Sequence, residues 1–104
     1  MVTDLFSGCG GLAYGFHKLG WKLTSYEMWH AACEVHRKNF PDSTVICRQL
    51  TISSEITRCQ VLIGGPPCQP FSVVGNQRGQ YDERDMVPIF IKCIEVHKPL
   101  IALM

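Results

Sequence analysis

The chain has 104 residues, of which 46% are hydrophobic, and its formal net charge is +1 at pH 7. This length accommodates one small domain with one core, and the near-zero charge argues against a module that wraps nucleic acid through excess Lys and Arg. The sequence contains neither a run of about 18 apolar residues, which a membrane-spanning helix requires, nor a signal-peptide pattern at its start. We therefore expect a cytoplasmic protein without membrane association.

The first part of the chain alternates apolar runs with helical periodicity, which is typical of consecutive strand–helix units. We predict a strand at residues 2–6, a glycine-rich turn at residues 7–11 and a second strand at residues 21–26. The helix between the strands carries three apolar residues on one face: Leu12, Phe16 and Leu19. Gly20 lies where a glycine commonly ends a helix, because glycine adopts a left-handed conformation without strain.

The middle of the chain continues this alternation. A second helix is predicted at residues 29–39, with Ala32 and Val35 on its buried face. Three shorter segments follow, namely a strand at residues 44–47, a weak turn or helix at residues 52–58 and a strand at residues 60–63.

The last part begins with a long polar loop at residues 64–84. Asp85 is predicted to cap a helix that continues to residue 97, and Pro88 is tolerated because it falls in the first turn. Residues 100–104 are predicted as the fifth strand. Right-handed crossovers between such strands produce an open parallel sheet, so the expected fold class is α/β and Rossmann-like, in one partial domain that covers residues 1–104.

The turn after the first strand reads Gly8-Cys9-Gly10-Gly11-Leu12-Ala13, which fits the Gly-x-Gly-x-x-Ala pattern of nucleotide-binding turns. Glu27 follows the second strand, where a carboxylate can accept hydrogen bonds from both hydroxyls of a ribose. Together these features indicate a ligand that contains adenosine. On these features alone, a tight turn without a ligand and a nicotinamide-binding oxidoreductase fragment remain open as alternatives.

The segment Gly64-Gly65-Pro66-Pro67-Cys68-Gln69-Pro70-Phe71-Ser72 follows an apolar strand directly. A loop at the carboxyl end of a parallel strand faces the ligand crevice, and two prolines stiffen the backbone before the Cys68 thiol. An isolated cysteine is often a buried small hydrophobe, but consecutive prolines make little sense as core packing. The pattern therefore favours Cys68 as a nucleophile.

The six cysteines show none of the short spacings of a zinc knuckle or a dithiol redox motif. His30, Cys33 and His36 would share one helix face, but three ligands from one short helix do not easily close a tetrahedral site. An amphipathic helix with a buried thiol is favoured, and we expect no metal site.

Three segments together resemble the motifs of DNA cytosine-5 methyltransferases. They are Asp4-Leu5-Phe6-Ser7-Gly8-Cys9-Gly10-Gly11, Gly65-Pro66-Pro67-Cys68-Gln69-Pro70-Phe71-Ser72, and Asp82-Glu83-Arg84 with Val87 in place of leucine. They occur in the family's order and spacing and cover essentially the whole chain. The resemblance implies the Rossmann-like S-adenosylmethionine-dependent methyltransferase fold, truncated after about the fifth strand, and the compact start at the first motif suggests a prokaryotic chain.

The resemblance also implies the residues that bind S-adenosylmethionine. Glu27 would hold the ribose and Met28 would lie against the adenine. The other implied cofactor-binding residues are Phe6, Gly8, Cys9, Gly10, Pro67 and Val87.

By the same resemblance, Cys68 would add to C6 of a cytosine flipped out of double-stranded DNA, so that C5 accepts the methyl group. The loop after it would close over the flipped nucleotide, with four residues at the DNA or in the active-site loop: Gln69, Ser72, Arg78 and Arg84. Arg78 and Arg84 would meet phosphate, although a solvated ion pair with a nearby aspartate is an alternative.

Two departures from the family pattern matter. The stretch Ile46-Cys47-Arg48-Gln49-Leu50 lacks the aspartate that accepts a hydrogen bond from the adenine amino group. The chain also ends at Met104, where the family's Glu-Asn-Val motif would begin, and it lacks a target-recognition region. The chain would then be one piece of a split enzyme, an artificially truncated form or a degenerate gene product. Our hypothesis is that a second polypeptide supplies the remaining motifs. A catalytically inactive binding or regulatory subunit of the same fold is the alternative.

Overall fold

The computed structural model describes residues 1–68 and 85–104. Its elements, in chain order, are β1 (Val2–Leu5), α1 (Ala13–Lys18), β2 (Leu23–Glu27), α2 (His30–Asn39), β3 (Thr44–Cys47), β4 (Val61–Gly64), α3 (Val87–His97) and β5 (Ile101–Leu103). The predicted strands and helices are thus confirmed, with ends that coincide with the predicted ones or differ by one or two residues. Of the two alternatives predicted for residues 52–58, the structure has a turn and no helix: Thr51 to Ser54 make a hydrogen-bonded turn.

The described strands form one parallel sheet in the order β3-β2-β1-β4-β5. This order places β1 at the centre, so its carboxyl end lies between those of β2 and β4. The predicted α/β, Rossmann-like class is confirmed, because the chain moves outward from β1 to one edge and then returns to build the other. In the described ranges, no helix is long and apolar enough to cross a bilayer.

The two faces of the sheet have separate apolar clusters. Leu5 and Leu62 face α3, where Phe90 packs against them. Val2 and Ile63 face the other side, where Ala13 of α1 covers them. Successive strand residues point to opposite faces, and this alternation divides the core in two.

In each of the first two helices, some of the side chains predicted to be buried are exposed. In α1, Ala13 is buried, whereas Leu12 and Leu19 are exposed, because this six-residue helix rests on the sheet through Ala13 and Phe16. Gly20 ends α1 with a left-handed φ of 80°, as predicted.

In α2, Ala32 is buried as predicted, but Val35 is 43% exposed. Cys33 is also buried, as predicted for an amphipathic helix with a buried thiol, and His36 is buried in place of Val35. The packing face of α2 therefore keeps Ala32 and Cys33 but has His36 in place of Val35, its neighbour about 100° around the helix. A buried histidine becomes part of the interior.

The predicted residue, Asp85, accepts a hydrogen bond at the start of α3. It lies two positions before the first helical residue, one position further from the helix than predicted. The helix begins at Val87, whose N–H donates to Oδ1 of Asp85 at 3.0 Å. Pro88 falls in the first turn, where its missing N–H has no intrahelical partner to lose. Asp85 also forms an isolated antiparallel bridge with Cys68, so the start of α3 is held beside the candidate nucleophile.

Candidate active site

A pocket of about 440 Å³ lies at the carboxyl ends of the central strands. Four residues predicted to bind the cofactor line it, namely Phe6, Glu27, Met28 and Pro67. They come from β1, β2 and the segment after β4, which the strand order makes neighbours. The volume falls within the range of small-molecule sites.

The other predicted cofactor residues lie outside the lining of this pocket. Gly8, Cys9 and Gly10 form the turn between β1 and α1, and the Cys9 side chain is exposed. Val87 lies with Asp85 and Pro88 in a separate, more open groove along α3.

Glu27 connects two loops at the edge of the pocket. Its Oε2 accepts a hydrogen bond from the Gly8 N–H at 2.7 Å, and its Oε1 accepts one from the Trp29 N–H at 2.9 Å. The carboxylate therefore fixes the glycine turn to the connection between β2 and α2. Each oxygen has two lone pairs, so each can accept one more hydrogen bond from a ligand hydroxyl.

Phe6 adopts a left-handed backbone with a φ of 57° at the mouth of the pocket. Such a conformation is unfavourable for a residue with a Cβ and is maintained only where the surroundings impose it. The next residue supplies that constraint, because the Ser7 N–H donates to the Tyr26 carbonyl at 3.0 Å. The chain thus leaves β1 with the Phe6 ring against the pocket.

Gly10 is required by packing as well as by backbone conformation. Its φ is 96°, and a Cβ there would overlap the Phe40 ring and approach Cε1 of His36 to 3.2 Å. Gly8 is also left-handed, with a φ of 55°, but a Cβ on it would meet open space. The glycine pattern predicts close approach of a ligand, yet the groups next to Gly10 are the side chains of His36 and Phe40, at the end of α2.

Cys68 lies next to a pocket residue and is exposed. The Met86 N–H donates to the Pro67 carbonyl at 2.9 Å, which ties the proline segment to the start of α3. An exposed thiol on a stiff segment beside a ligand pocket is suited to attack on a bound substrate. The predicted loop residues Gln69, Ser72, Arg78 and Arg84 lie outside the described residues.

Several pocket residues were not identified from the sequence. Trp29, Leu50, Gly65 and Met86 line the pocket together with Tyr26. Gly65 directly follows β4 and Trp29 lies two residues after β2, and that position was the available signal. Leu50 and Met86 enter through long-range packing, for which local sequence carries no signal.

The segment without the family's aspartate also contributes to the pocket through Arg48 and Gln49. The Arg48 guanidinium lies 5.3 Å from the centre of the Tyr26 ring and donates to the Glu55 carbonyl at 2.8 Å. Gln49 is exposed, and its amide offers both a donor and an acceptor.

The predicted helix-face triad does not converge as a metal site. His30 lies near Cys47, with 3.6 Å between Nδ1 and Sγ, whereas the Cys33 thiol donates to the Glu27 carbonyl at 3.3 Å. Nδ1 of His36 instead contacts the Gly8 carbonyl. Within the described ranges, no three His, Cys, Asp or Glu residues are grouped to hold a metal ion.

Comparison with known proteins gives a consistent result. The family model for C-5 cytosine-specific DNA methylases matches residues 1–104. The chain is 44% identical to the type II methyltransferase M.AplI of Arthrospira platensis over 99% of the chain and 30% of that relative. It is 39% identical to mouse DNA (cytosine-5)-methyltransferase 1 over 68% of the chain and 6% of that protein.

Solved structures agree with the sequence relatives. A putative DNA modification methyltransferase encoded within an Escherichia coli prophage superposes with a TM-score of 0.71 at 30% identity, covering 97% of this chain and 30% of that one. A glycopeptide N-methyltransferase solved with S-adenosylmethionine shares the fold at 21% identity, with a TM-score of 0.58 over 92% of this chain and 38% of that one. The chain therefore spans about a third of the length of the bacterial relatives just named.

Proposed function

Because the chain belongs to the C-5 cytosine-specific DNA methylases, we propose that it forms the cofactor-binding and nucleophile-bearing part of an enzyme that methylates cytosine in double-stranded DNA. One observation carries the proposal: the pocket, Glu27 and the segment that bears Cys68 share the carboxyl edge of one parallel sheet. This edge is where open α/β sheets bind their ligands.

The cofactor of the family is S-adenosylmethionine, and the chemistry of the pocket fits it. The free lone pairs of Glu27 would accept hydrogen bonds from the ribose hydroxyls. Phe6, Met28 and Pro67 would cover the adenosine, and the turn with Gly8, Cys9 and Gly10 would border it. Val87 lies in the separate groove along α3 and would border the site only through its neighbour Met86, which lines the pocket. When bound, the cofactor supplies an electrophilic methyl group on a sulfonium.

Gln49 is the residue we propose in place of the family's aspartate. It lies in the segment that lacks the acidic residue and lines the same pocket. Its amide oxygen accepts a hydrogen bond from an amino group as a carboxylate does, without the charge. An acceptor for the adenine amino group is therefore present on the same segment.

Cys68 would act as the nucleophile. The thiolate sulfur forms a bond to C6 of the cytosine, and the electron pair of the C5–C6 double bond becomes available at C5. C5 takes the methyl group, the C5 proton is lost to a base, and the electron pair left at C5 re-forms the double bond and expels the thiolate. The target base must be flipped out of the duplex to reach the exposed thiol.

DNA engagement in this proposal requires polypeptide beyond these residues. Gln69, Ser72, Arg78 and Arg84 would contact the flipped base or the phosphates, but a net charge of +1 provides little general attraction to DNA. The outer edge strand β5 exposes Ile101 and could pair with a further strand, from a second polypeptide. The proposed site of action is the cytoplasm.

Calorimetric titration of the chain with S-adenosylhomocysteine tests the cofactor half of the proposal. We expect micromolar binding, weakened at least about tenfold by Glu27→Ala, because a charged acceptor of ligand hydrogen bonds is lost. Glu34→Ala removes an exposed carboxylate of α2 and should leave the affinity unchanged. Thermal unfolding of both variants checks that each is folded. Absence of binding to the unsubstituted chain would refute the claim that these residues hold the cofactor.

A further inference from the structure

We infer that His36 is a positioning residue, which holds the glycine turn beside the cofactor pocket and makes cofactor binding sensitive to pH. The side chain is fully buried, and its Nδ1 lies 3.1 Å from the Gly8 carbonyl oxygen and 3.3 Å from Ser7 Oγ. A carbonyl only accepts, so Nδ1 carries the proton and donates. Both the neutral ring with its proton on Nδ1 and the imidazolium can donate this hydrogen bond, so the surroundings of Nε2 decide which form is favoured.

The His36 ring also lies beside Gly10. The His36 and Phe40 rings meet edge to face, with 5.1 Å between their centroids. These are the two side chains that a Cβ at Gly10 would meet. His36 thus contacts the turn twice, through a hydrogen bond to Gly8 and through van der Waals packing at Gly10.

Protonation would disturb this arrangement at the opposite nitrogen. Nε2 is buried and has no hydrogen-bond partner among the described residues. A proton there would add a buried N–H without an acceptor and a buried positive charge, both of which are unfavourable. The neutral ring with its proton on Nδ1 has neither the extra N–H nor the charge, so burial favours the uncharged form of His36.

The charged surroundings of the ring do not reverse this preference. Burial lowers the pKa of His36 below its usual 6.5, and Arg37 lowers it further, whereas the Gly8 hydrogen bond and Glu27 raise it. Titratable groups on neighbouring elements include Asp4 of β1, Tyr26 of β2 and Cys47 of β3. His17 of α1 contacts the Phe40 ring, with 4.9 Å between the ring centroids. The net shift is downward.

The direction of the pH effect follows from that shift. A histidine with a lowered pKa in the folded protein contributes stability that is present above the unfolded value of about 6.5. This contribution is lost as the pH falls toward the folded pKa. The inference rests on the proposed cofactor site, because the turn that His36 holds is the one that borders it.

Two substitutions of His36 test its hydrogen bond to Gly8 and its aromatic packing separately. In His36→Asn the side-chain amide can take the place of Nδ1–H and donate to Gly8, but it does not titrate. His36→Phe keeps an aromatic ring against Phe40 and removes the donor. His30→Asn is the matched control, because His30 is exposed on the same helix.

Affinity for S-adenosylhomocysteine, measured by calorimetry from pH 5.0 to 8.0, is the first readout. We expect the wild-type affinity to fall at least about fivefold from pH 7.5 to 5.0. His36→Asn should bind within about threefold of wild type at pH 8.0 with a flatter profile, and His36→Phe about tenfold more weakly throughout. Asp4 and Glu27 remain in every variant, so the difference between profiles isolates His36.

Hydrogen exchange of the Gly10 amide, which donates to the Ser7 carbonyl at 3.0 Å, provides a second readout that needs no cofactor. His36→Phe should accelerate this exchange about tenfold, and His36→Asn should restore it. If the wild-type chain binds no ligand, the cofactor proposal fails, while the exchange rates still decide the role of His36. Wild-type exchange rates in His36→Phe, or an unchanged pH profile of affinity in His36→Asn, would overturn the inference.

Discussion

Asp4 is the most unusual single residue of the described fold. It lies in the central strand, is fully buried, and neither carboxylate oxygen has a hydrogen-bond partner in the described ranges. Ser25, its neighbour on β2, is likewise buried, and its hydroxyl has no hydrogen-bond partner among the described residues. Burial and, secondarily, the charge of Glu27 raise the pKa of Asp4 from 3.8 to about 7.

This raised pKa predicts a specific dependence of stability on pH. The contribution of Asp4 is fully present below its unfolded pKa of 3.8 and is lost as the pH rises through about 7. Asp4→Asn should remove this loss and raise the free energy of unfolding at pH 8 by on the order of 2–4 kcal/mol. Urea unfolding from pH 5 to 8 measures this change in the free energy of unfolding, and Asp42→Asn, at an exposed position, is the control. Parallel pH curves for wild type and Asp4→Asn would contradict the prediction.

At the scale of elements, the start of α3 joins the core to the nucleophile segment. Oδ1 of Asp85 accepts the Val87 N–H, Asp85 bridges to Cys68, and the Met86 N–H donates to the Pro67 carbonyl. A change at this helix end should therefore affect both α3 and the site.

Substitution of Asp85 tests this connection. Asp85→Ala should lower the free energy of unfolding by about 1 kcal/mol, because a helix N-terminus loses its side-chain acceptor. Asp85→Asn keeps an oxygen acceptor and should recover most of the loss. Urea unfolding provides the measurement, and equal stability of the two variants would show that the Asp85 oxygen does not stabilise the helix.

At the scale of the whole molecule, the chain contains the pocket and the candidate nucleophile but spans about a third of its bacterial relatives. Covalent trapping with duplex DNA that contains 5-fluorocytosine tests how far this part functions. Fluorine at C5 prevents the elimination step, so an attacking Cys68 remains bonded to C6. We expect no adduct with the chain alone, because the proposed reaction needs further polypeptide to bind DNA.

An adduct is expected when S-adenosylmethionine and the unmatched remainder of M.AplI are added as a separate polypeptide. Denaturing electrophoresis would detect the adduct as a shifted band. Cys68→Ser should abolish the band and Cys47→Ser should retain it. Cofactor binding without any adduct would favour the alternative of an inactive binding subunit.

Much of the fold was predictable because its signals are local. Apolar runs marked the strands, glycine marked the end of α1, and proline and aspartate marked the start of α3. The order of glycine turn, Glu27 and Cys68 along the chain also placed them at one sheet edge, since parallel strands end together. These features depend on residues that are close in sequence or on a general rule of chain topology.

Which side chains become buried was decided by tertiary packing. Periodicity alone allowed Val35 or His36 to face inward from α2, and contact with the glycine turn selected His36. The space beside Gly10 is filled by Phe40, which is 30 positions away in the chain. Leu50 reaches the pocket in the same way. Such contacts depend on how separate elements pack against one another, and no local pattern encodes that packing.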